Sequence, residues 1–282
     1  MSLSDTKSLL VAARSKGHAV GAFTVWDMES VQAVVGAAES LNLPVIAQVG
    51  PWEADFAGME LLGEIIKHTA LRASVPVALH LDHGESFERA VKAIHCGFTS
   101  VMMDASHLPF AENVALTREV AKCAHAAGIS VEGEIGMVGG GIHSAESSGR
   151  ELPMTDPEEA ARYAAETAVD ALAVAIGNAH GFYTTAPKLD LERLTKIAEK
   201  VSVPLVLHGG TGIPDDAIRE AIKRGIAKIN ICTEFIAAFG KAFQEVQRQP
   251  DFAYNVPKLF AEPRRRAMDL ITQKLKLFAL AE

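Results

Sequence analysis

Three histidines, His83, His180 and His208, lie far apart in the sequence, and each stands beside a glycine. Three neutral imidazoles that leave a fourth position open form the ligand set of a catalytic zinc site. Cobalt, iron or manganese could bind the same nitrogen ligands. Asp82 directly precedes His83, so a carboxylate able to transfer protons would lie beside the metal. These residues predict a zinc centre held by the three histidines, with Asp82 as its acid/base.

The other histidines carry weaker signals, because a lone histidine is more often a satisfied core or surface residue than a ligand. His80 comes two residues before Asp82, which places it in the core or beside a ligand. His107 could be a ligand or a loop residue. Four more lie in helical or linker stretches and are interpreted as structural: His18, His68, His95 and His125.

The candidate ligands can meet only if the fold brings distant segments together. Eight short apolar runs, rich in β-branched residues, predict strands at Gly21–Val25, Pro44–Gly50, Val75–Asp82, Ser100–Ser106, Ser130–Gly136, Ala171–Ile176, Pro204–Gly209 and Ala227–Cys232. Stretches with helical spacing separate them, as at Phe87–Cys96, Asn113–Ala127 and Asp190–Val201. This alternation indicates βαβ units, right-handed crossovers and a parallel sheet. Eight units within about 250 residues fit a closed (β/α)8 TIM barrel.

An open, doubly wound α/β sheet is the alternative to the barrel. Such a sheet would normally have a glycine-rich phosphate turn after its first strand, and Thr24-Val25-Trp26-Asp27 is no such turn. We therefore predict a single (β/α)8 barrel domain over residues 1–282 with extra C-terminal helices. The last of these should cover Glu262–Glu282, which contains Arg264-Arg265-Arg266 near its start.

In a barrel the carboxyl ends of all strands converge on one mouth, where such enzymes place their chemistry. The third, sixth and seventh predicted strands lead into His83, His180 and His208. Adjacent strand residues point to opposite faces, so Asp82 and His83 can share a site only if the backbone twists where the strand ends. Three further carboxylates at this mouth could orient a ligand histidine, bind a second mono- or divalent cation, or simply be solvated: Asp104, Glu132 and Glu134.

Two segments at the same mouth have the character of an anion site. Gly209-Gly210-Thr211-Gly212 follows the seventh strand and Asn230-Ile231-Cys232-Thr233 the eighth. Loops at these positions often bind phosphate through backbone N–H groups and a helix N-terminus. A third loop, Val138–Gly149, is long and rich in glycine, which predicts a lid over the mouth or else a plain linker.

Composition limits the classes of function. The formal net charge of −8 argues against nucleic-acid binding, which needs clustered Lys and Arg. The three cysteines form no CxxC pair, so a disulfide framework is not expected and a reducing compartment is the default. No signal peptide and no run of about 18 apolar residues is visible, so we expect a cytoplasmic protein without a membrane span.

Four motifs together resemble those of the class II, zinc-dependent ketose-bisphosphate aldolases, of the fructose- and tagatose-bisphosphate type. They are Leu81-Asp82-His83-Gly84, Gly177-Asn178-Ala179-His180-Gly181, Leu207-His208-Gly209-Gly210-Thr211-Gly212 and Lys228-Ile229-Asn230-Ile231-Cys232-Thr233-Glu234. The resemblance extends from Gly21-Ala22-Phe23 to the C-terminal helix. Its order of one Asp-His-Gly and two further His-Gly elements is highly specific.

The resemblance implies a role for each matching position. Asp82 would exchange the proton of the C4 hydroxyl. The three histidines would hold zinc, and both zinc and Asn230 would stabilise an enediolate. Glu134 would be an alternate metal ligand or lie beside one, with Asp104 near it. One arginine of 264–266 would reach a distal phosphate, either of its own subunit or of a neighbouring subunit in a homodimer or homotetramer. The dihydroxyacetone phosphate half of a phosphorylated sugar would bind to Gly181, Gly209, Gly210, Thr211, Asn230, Ile231, Cys232 and Thr233.

The sequence departs from the family pattern at three places, all on the substrate side. The lid usually has an acidic residue shortly after paired glycines, and Gly139-Gly140-Gly141-Ile142-His143 has none. We predict that His143 or Glu146 takes over its proton transfer, because they are the nearest titratable groups. Thr24 stands where relatives commonly have Asn, and the end of the second strand, Gln48-Val49-Gly50-Pro51-Trp52, lacks the small hydroxyl residue often found in relatives. These three departures predict an aldolase with an altered acceptor or with a different proton route.

Three other functions are weighed against the aldolase. A Schiff-base aldolase needs a buried lysine on a barrel strand, and Lys228 alone qualifies among the predicted strands. A metal-dependent hydrolase barrel would usually have His-x-His on its first strand, where Thr24-Val25-Trp26 stands instead. A non-catalytic partner subunit of an aldolase need not retain the three histidines and Asp82.

Overall fold

The computed structural model describes residues 2–139, 153–185, 187–249 and 255–280. Within them, parallel strands form one sheet in the order β1-β4-β3-β2-β9-β8-β7-β6-β5, which the pairing of β4 with β5 closes into a barrel. The strands are β1 (Leu3–Ser4), β2 (Val20–Thr24), β3 (Val45–Val49), β4 (Val77–Gly84), β5 (Ser100–Met103), β6 (Ser130–Ile135), β7 (Ala171–Val174), β8 (Leu205–Leu207) and β9 (Ile226–Ile231). The predicted (β/α)8 barrel is confirmed.

Helices cover the outside of the barrel. They are α1 (Thr6–Ser15), α2 (Met28–Leu41), α3 (Pro51–Ala57), α4 (Met59–Arg72), α5 (Phe87–His95), α6 (Phe110–Ala126), α7 (Pro157–Thr167), α8 (Leu191–Lys200), α9 (Asp215–Lys223), α10 (Thr233–Gln247) and α11 (Val256–Phe278). None of the helices in these ranges is long and apolar enough to cross a membrane. The three cysteines are free.

Side-chain size divides the core into two layers. Large apolar residues fill the space between strands and helices, whereas small ones such as Ala22, Ala78 and Ala173 line the barrel interior. Helix α1 packs Leu9 and Leu10 against the small residues, which closes the amino end of the barrel. A packed amino end leaves the carboxyl end as the open mouth.

Local sequence signals explain how the strands are connected. Asp27 caps α2 through the backbone N–H of Ser30, whose hydroxyl in turn accepts from the N–H of Asp27. Ser86 caps α5 and Asp190 caps α8 by the same kind of side-chain hydrogen bond. The caps of α2 and α5 follow their strands within three residues, whereas the segment between β7 and Asp190 is longer and contains His180.

The amino-terminal strand and several boundaries differ from the predictions. Strand β1 pairs Leu3 with Val77 and Ser4 with Ala78, and it was not predicted because two residues give no periodic signal. Most predicted strands extend one to three residues too far at their carboxyl ends, where the apolar run continues into the loop. The last helix begins at Val256 rather than Glu262, with Asn255 as its cap.

Candidate metal centre

His83, His180 and His208 meet at the carboxyl end of the barrel. His83 lies near the end of β4, His180 in the loop after β7, and His208 directly after β8. One ring nitrogen from each falls in a group whose members lie within 4.8 Å of one another. Nε2 of His83 and Nδ1 of His208 are only 3.0 Å apart. The structure thus brings together the three histidines that the sequence predicts as ligands.

The backbone of β4 resolves how Asp82 and His83 reach one site. His83 has a φ of 49°, in the left-handed region that a residue with a side chain rarely adopts. The pairing of β4 with β5 shifts register between Leu81 and Gly84. This irregularity turns two adjacent side chains toward the same mouth, and such local strain is typical of functional sites.

Two carboxylates fix the orientation of the imidazoles. Nδ1 of His83 donates to Asp104 at 2.7 Å, and Nε2 of His208 donates to Glu132 at 2.9 Å. Because those nitrogens carry the ring protons, the neutral rings turn lone pairs toward each other at the 3.0 Å contact. Two facing lone pairs need a cation between them. The donor set fits zinc, whose bonds to imidazole are about 2.0–2.1 Å long, with carboxylates supporting the ligands from behind.

Electrostatics around the rings also favours a positive charge at this point. Burial lowers the pKa of His180 to about 4 and places that of His208 well below its usual value, so both rings are neutral. Burial also opposes the charged form of His83, but Asp82 and Asp104 outweigh it and raise its pKa to about 10. Without a metal, the cluster of three histidines therefore holds a proton on His83. A metal ion would replace that proton.

Glu134 is the fourth candidate ligand. Its Oε2 atom is buried without a hydrogen-bond partner and lies 4.0 Å from Nδ1 of His208. Burial, and the charge of Asp104, raise its pKa to about 8. His83, Asp104 and Glu134 also form a second group of potential ligand atoms within 4.8 Å. An unpartnered carboxylate oxygen at this place is suited to a cation.

Asp82 lies beside the histidines and is held by two amides. Gln48 donates to one carboxylate oxygen at 2.9 Å, and Asn230 donates to the other at 3.1 Å. The carboxylate lies 4.0 Å from Nε2 of His83. Two directional bonds prevent rotation, which positions an acid/base for one proton transfer. The part played by Gln48 was not predicted, although a polar residue inside the buried run of β3 was a signal for it.

A cavity of about 470 Å³ is lined by Asp82, His83 and His180, whereas His208 is fully buried and is not part of the lining. Of the predicted substrate-binding residues, six line it: Gly181, Gly209, Thr211, Asn230, Cys232 and Thr233. Gly210 does not line it, and the side chain of Ile231 is fully buried in the core, so Ile231 could contact a ligand only through its backbone. Thr233 begins α10, whose N-terminal N–H groups suit an anion.

Glycine is required where the loop after β8 passes under the mouth. Gly209 has a φ of 63°, and a Cβ there would lie 2.1 Å from the carbonyl oxygen of Ala179. A Cβ on Gly210 would lie 2.7 Å from Cγ2 of Ile229. The paired glycines therefore let the loop pack against the segment that carries His180, which fixes the distance between that histidine and His208.

Most other sequence candidates lie away from the cavity or outside the described ranges. His107 lines the mouth, whereas His80 is fully buried and bonds to Ser100. The arginines of α11 pair on its surface: Arg264 with Gln32, Arg265 with Glu262 and Asp269, and Arg266 with Glu262 and Glu245. None of these three lines the cavity of its own chain. His143, Glu146 and most of the predicted lid fall within residues 140–152, outside the described residues.

Lys228 on β9 supports the candidate metal centre through Glu132. Its ammonium group is fully buried, donates to Glu132 at 2.8 Å and lies 3.3 Å from Nε2 of His80. Glu132 in turn accepts from His208. Lys228 does not line the cavity, so it is not exposed to a substrate as a Schiff-base lysine would need to be. It instead neutralises the carboxylate that orients a candidate ligand.

Replacing Lys228 by methionine should weaken both folding and metal binding. The variant leaves Glu132 buried without its cation, which we expect to lower the free energy of unfolding by about 3–5 kcal/mol. Loss of this support should weaken zinc affinity about 10–100-fold. Urea unfolding and zinc competition with a chromophoric chelator measure the two effects.

The matched control is Lys223→Met, which removes an exposed lysine paired with Glu220 on α9. It should change neither the free energy of unfolding nor the zinc affinity appreciably, because exposed ion pairs contribute little to stability. A Lys228→Met protein as stable as the parent, with unchanged zinc affinity, would show that this contact has no supporting role.

Comparison with known proteins identifies relatives along nearly the whole chain. The family model for class-II fructose-bisphosphate aldolase matches residues 4–282. A fructose-bisphosphate aldolase of Staphylococcus aureus is 40% identical over 281 residues, covering 99% of this chain and 98% of its own. One from Geobacillus stearothermophilus is 41% identical, covering 99% and 97%. The crystal structure of the YdjI aldolase from Escherichia coli K12 superposes with a TM-score of 0.88 at 39% identity, covering 98% and 97%.

Proposed function

This chain belongs to the class-II fructose-bisphosphate aldolase family, and on that basis we propose that it is a zinc-dependent aldolase. Its reaction splits a ketose that carries phosphate at C1 into dihydroxyacetone phosphate and an aldehyde, or joins the two. Fructose- and tagatose-1,6-bisphosphate meet this description, and so does a ketose phosphate with another aldehyde half.

The observation that carries the proposal is the contact at the metal centre. Two imidazole nitrogens face each other at 3.0 Å, each ring fixed from behind by a carboxylate, with the carboxylate of Asp82 4.0 Å from one of them. This arrangement combines a cation site with an adjacent acid/base. Carbon–carbon cleavage beside a ketone needs both, because one group must accept negative charge and another must take a proton.

When bound, zinc would serve as a Lewis acid for the negative charge that cleavage leaves on the dihydroxyacetone phosphate half as an enediolate. Asp82 accepts the proton of the C4 hydroxyl as the C3–C4 bond breaks. The electron pair of that bond remains on C3, and C4 becomes the carbonyl carbon of the aldehyde. Gln48 and Asn230 keep the carboxylate aimed at the hydroxyl throughout. In synthesis Asp82 returns the proton.

The phosphate at C1 would bind at the loops after β8 and β9. Gly181 and most residues of the segments Gly209–Thr211 and Asn230–Thr233 line the cavity, although the N–H of Gly210 already donates to the carbonyl oxygen of Asn230. The N-terminus of α10 adds its partial positive charge. Binding there fixes the ketose so that its carbonyl lies at the histidines and its C4 hydroxyl at Asp82. Such positioning is a large part of catalysis.

We also propose a second cation and an assembly. Asp104 and Glu134, whose Oε2 atom has no hydrogen-bond partner, could hold a further mono- or divalent cation beside the zinc.

We expect a single barrel domain that forms a cytoplasmic homodimer or homotetramer and acts on a phosphorylated sugar, without nucleic acid or membrane as a partner. His143 or Glu146 would transfer the proton at the dihydroxyacetone carbon.

Release of dihydroxyacetone phosphate tests the proposal directly. The purified protein is incubated with fructose 1,6-bisphosphate, tagatose 1,6-bisphosphate and ketose 1-phosphates, and the product is reduced by glycerol-3-phosphate dehydrogenase at the expense of NADH. Oxidation of NADH with at least one ketose is expected. Liberation of inorganic phosphate alone would indicate a hydrolase, and a borohydride-trapped adduct would indicate a Schiff-base enzyme. A chain that binds no zinc and turns over no ketose would be a non-catalytic partner.

A further inference from the structure

The location of the aldehyde half follows from the two ends of the proposed site. If the C1 phosphate lies at the loops after β8 and β9 and the C4 hydroxyl at Asp82 on β4, the chain from C4 onward can extend along the ends of β3 and β2. These strands lie between β4 and β9 in the sheet, and Gln48 of β3 bonds to Asp82. The cavity lining there consists of Thr24, Gln48 and the segment Gly50–Glu53. We call this lining the acceptor subsite.

Charge in the acceptor subsite is unfavourable to a phosphate. Four carboxylates line the cavity, those of Glu53, Asp82, Asp104 and Glu134, and its described lining contains no lysine or arginine. The C1 phosphate can rely on backbone N–H groups and a helix N-terminus at the loops after β8 and β9, but a second phosphate at the acceptor subsite would lie beside the carboxylates of Glu53 and Asp82. Transfer of phosphate from water to such a place is costly without a cation.

Nearby arginines are engaged elsewhere. Arg89 donates to the carbonyl oxygen of Pro51 at 3.4 Å, but its guanidinium is also paired with Asp55 at 3.1 Å and lies 3.6 Å from Glu85. Arg89 is not part of the cavity lining. The arginines of α11 pair with residues of their own chain, as described above. In the described residues, the acceptor subsite therefore has no free cation directed into it.

Unpartnered atoms in the lining indicate which chemical groups the subsite would bind. Oε1 of Gln48 and Oδ1 of Asn230 are buried without a hydrogen-bond partner, although the nitrogen of each amide donates to Asp82. Both orphan atoms are acceptors. A buried acceptor without a donor costs about 1–3 kcal/mol, so a ligand that brings donors is favoured there. Hydroxyl groups are donors, whereas an ionised phosphate offers only acceptors.

Glu53 adds another acceptor at a fixed position. It is the third residue of α3, and its carboxylate accepts from the backbone N–H of Gly50, which caps that helix. Only 8% of Glu53 is exposed, and burial raises its pKa. In its ionised form it repels phosphate and accepts from a hydroxyl. In its protonated form it still provides no counter-charge for phosphate.

Trp52 supplies an apolar surface at the rim of the subsite. Its indole is 62% exposed and stacks on Phe56 with the ring planes 3° apart. Pro51 at the first position of α3 fixes the start of this helix at the mouth. A large, exposed aromatic surface in a cavity lining can bury the C–H face of a polyol while the hydroxyl groups of that polyol bond to polar neighbours.

We propose that the aldehyde half of the substrate is a hydroxylated aldehyde without phosphate, whose hydroxyl groups donate to Gln48 and Glu53 and whose C–H face packs on Trp52. This inference rests on the proposed aldolase function and names the class of its acceptor. The glycine at position 50 and Thr24 leave room for such a chain. The substrate in cleavage is then a ketose 1-phosphate whose distal end is uncharged.

The test is a comparison of two acceptors that differ only in phosphate. The zinc-loaded protein is given dihydroxyacetone phosphate with either D-glyceraldehyde or D-glyceraldehyde 3-phosphate, and kcat/KM for the aldehyde is measured by the rate of ketose formation. We expect D-glyceraldehyde to be preferred at least about tenfold, which corresponds to about 1.4 kcal/mol. Equal use of the two aldehydes, or preference for the phosphorylated one, overturns the inference and leaves the aldolase intact. If neither these nor other short aldehydes react, the proposed function itself fails.

Variants of the subsite provide a second readout. Trp52→Ala should lower kcat/KM for D-glyceraldehyde about three- to tenfold, whereas Leu61→Ala, which removes an equally exposed apolar residue on α4, should not. Glu53→Gln retains a side chain that can cap α3. It should reduce the ratio of kcat/KM for D-glyceraldehyde to kcat/KM for D-glyceraldehyde 3-phosphate about three- to tenfold. Unchanged preference in both subsite variants would contradict the assignment of these residues.

Discussion

Asp82→Asn is expected to lower kcat/KM for ketose cleavage by about 10²–10⁴-fold, because the amide cannot accept the proton of the C4 hydroxyl. The substitution keeps the shape of the side chain, and an amide can still bond to Gln48 or Asn230. Zinc content should therefore stay at the parental value, since the three histidines and their supporting carboxylates are unchanged. Steady-state kinetics with a responsive ketose, together with metal analysis, gives both quantities.

The control for this variant is Asp269→Asn on α11, an exposed carboxylate paired with Arg265. Its kinetics should match those of the parent protein. Cleavage at more than a tenth of the parental rate in Asp82→Asn would mean that another group takes the C4 proton. Loss of zinc from Asp82→Asn would instead show that Asp82 acts as a metal ligand.

His180→Ala should also reduce activity strongly, because it removes one of three protein ligands to the metal. A metal that polarises a carbonyl contributes several kcal/mol to the transition state, so we expect a loss of at least about 10³-fold. His180 is the best ligand to remove, since it lies in a loop and is partly exposed, whereas His208 is fully buried and bonded to Glu132. The variant should fold normally and contain less zinc.

His107→Ala is the matched control, because His107 lines the same cavity but belongs to none of the groups of potential ligand atoms. It should keep its zinc and most of its activity. Full zinc content and activity in His180→Ala would refute the three-histidine site. Circular dichroism and thermal unfolding of both variants separate a lost ligand from a lost fold.

The sequence was sufficient to predict the barrel because its strands are buried on both faces. Continuous apolar runs such as Ala171–Val174 and Leu205–Leu207 give a strong signal, and their regular alternation with helical stretches allows few other topologies. Boundaries were less predictable, since the runs continue past the last paired residue. Strand β1 escaped prediction because it has only two residues, which pair at the edge of the amino end.

The approximate place of each ligand was also predictable, because polar residues at the carboxyl ends of barrel strands must meet. Their geometry was not. The left-handed backbone of His83, which brings it beside Asp82, depends on a register shift between β4 and β5 that no local sequence pattern indicates. The bond of Gln48 to Asp82 joins neighbouring strands and that of Lys228 to Glu132 joins β9 to β6, which are not neighbours, so only the folded chain shows them.

The substrate side shows the limit of reasoning from motifs. Ile231 belongs to a motif of the phosphate loop, yet its side chain packs into the core. Trp52 was noted only at the end of a strand that departs from the family pattern, and Glu53 belongs to no predicted motif, yet the structure places both in the lining of the cavity. Residues that differ from a family pattern carry information about specificity that the pattern itself lacks.

Dependence of dihydroxyacetone phosphate release on bound zinc tests the central claim most directly. The purified protein is assayed as isolated, after prolonged chelation, and after zinc is returned, with metal content measured at each stage. We predict about one zinc ion per chain in the active protein, loss of release on chelation, and recovery in proportion to the zinc restored. Undiminished release of dihydroxyacetone phosphate from protein depleted of zinc and other divalent metals would contradict the account.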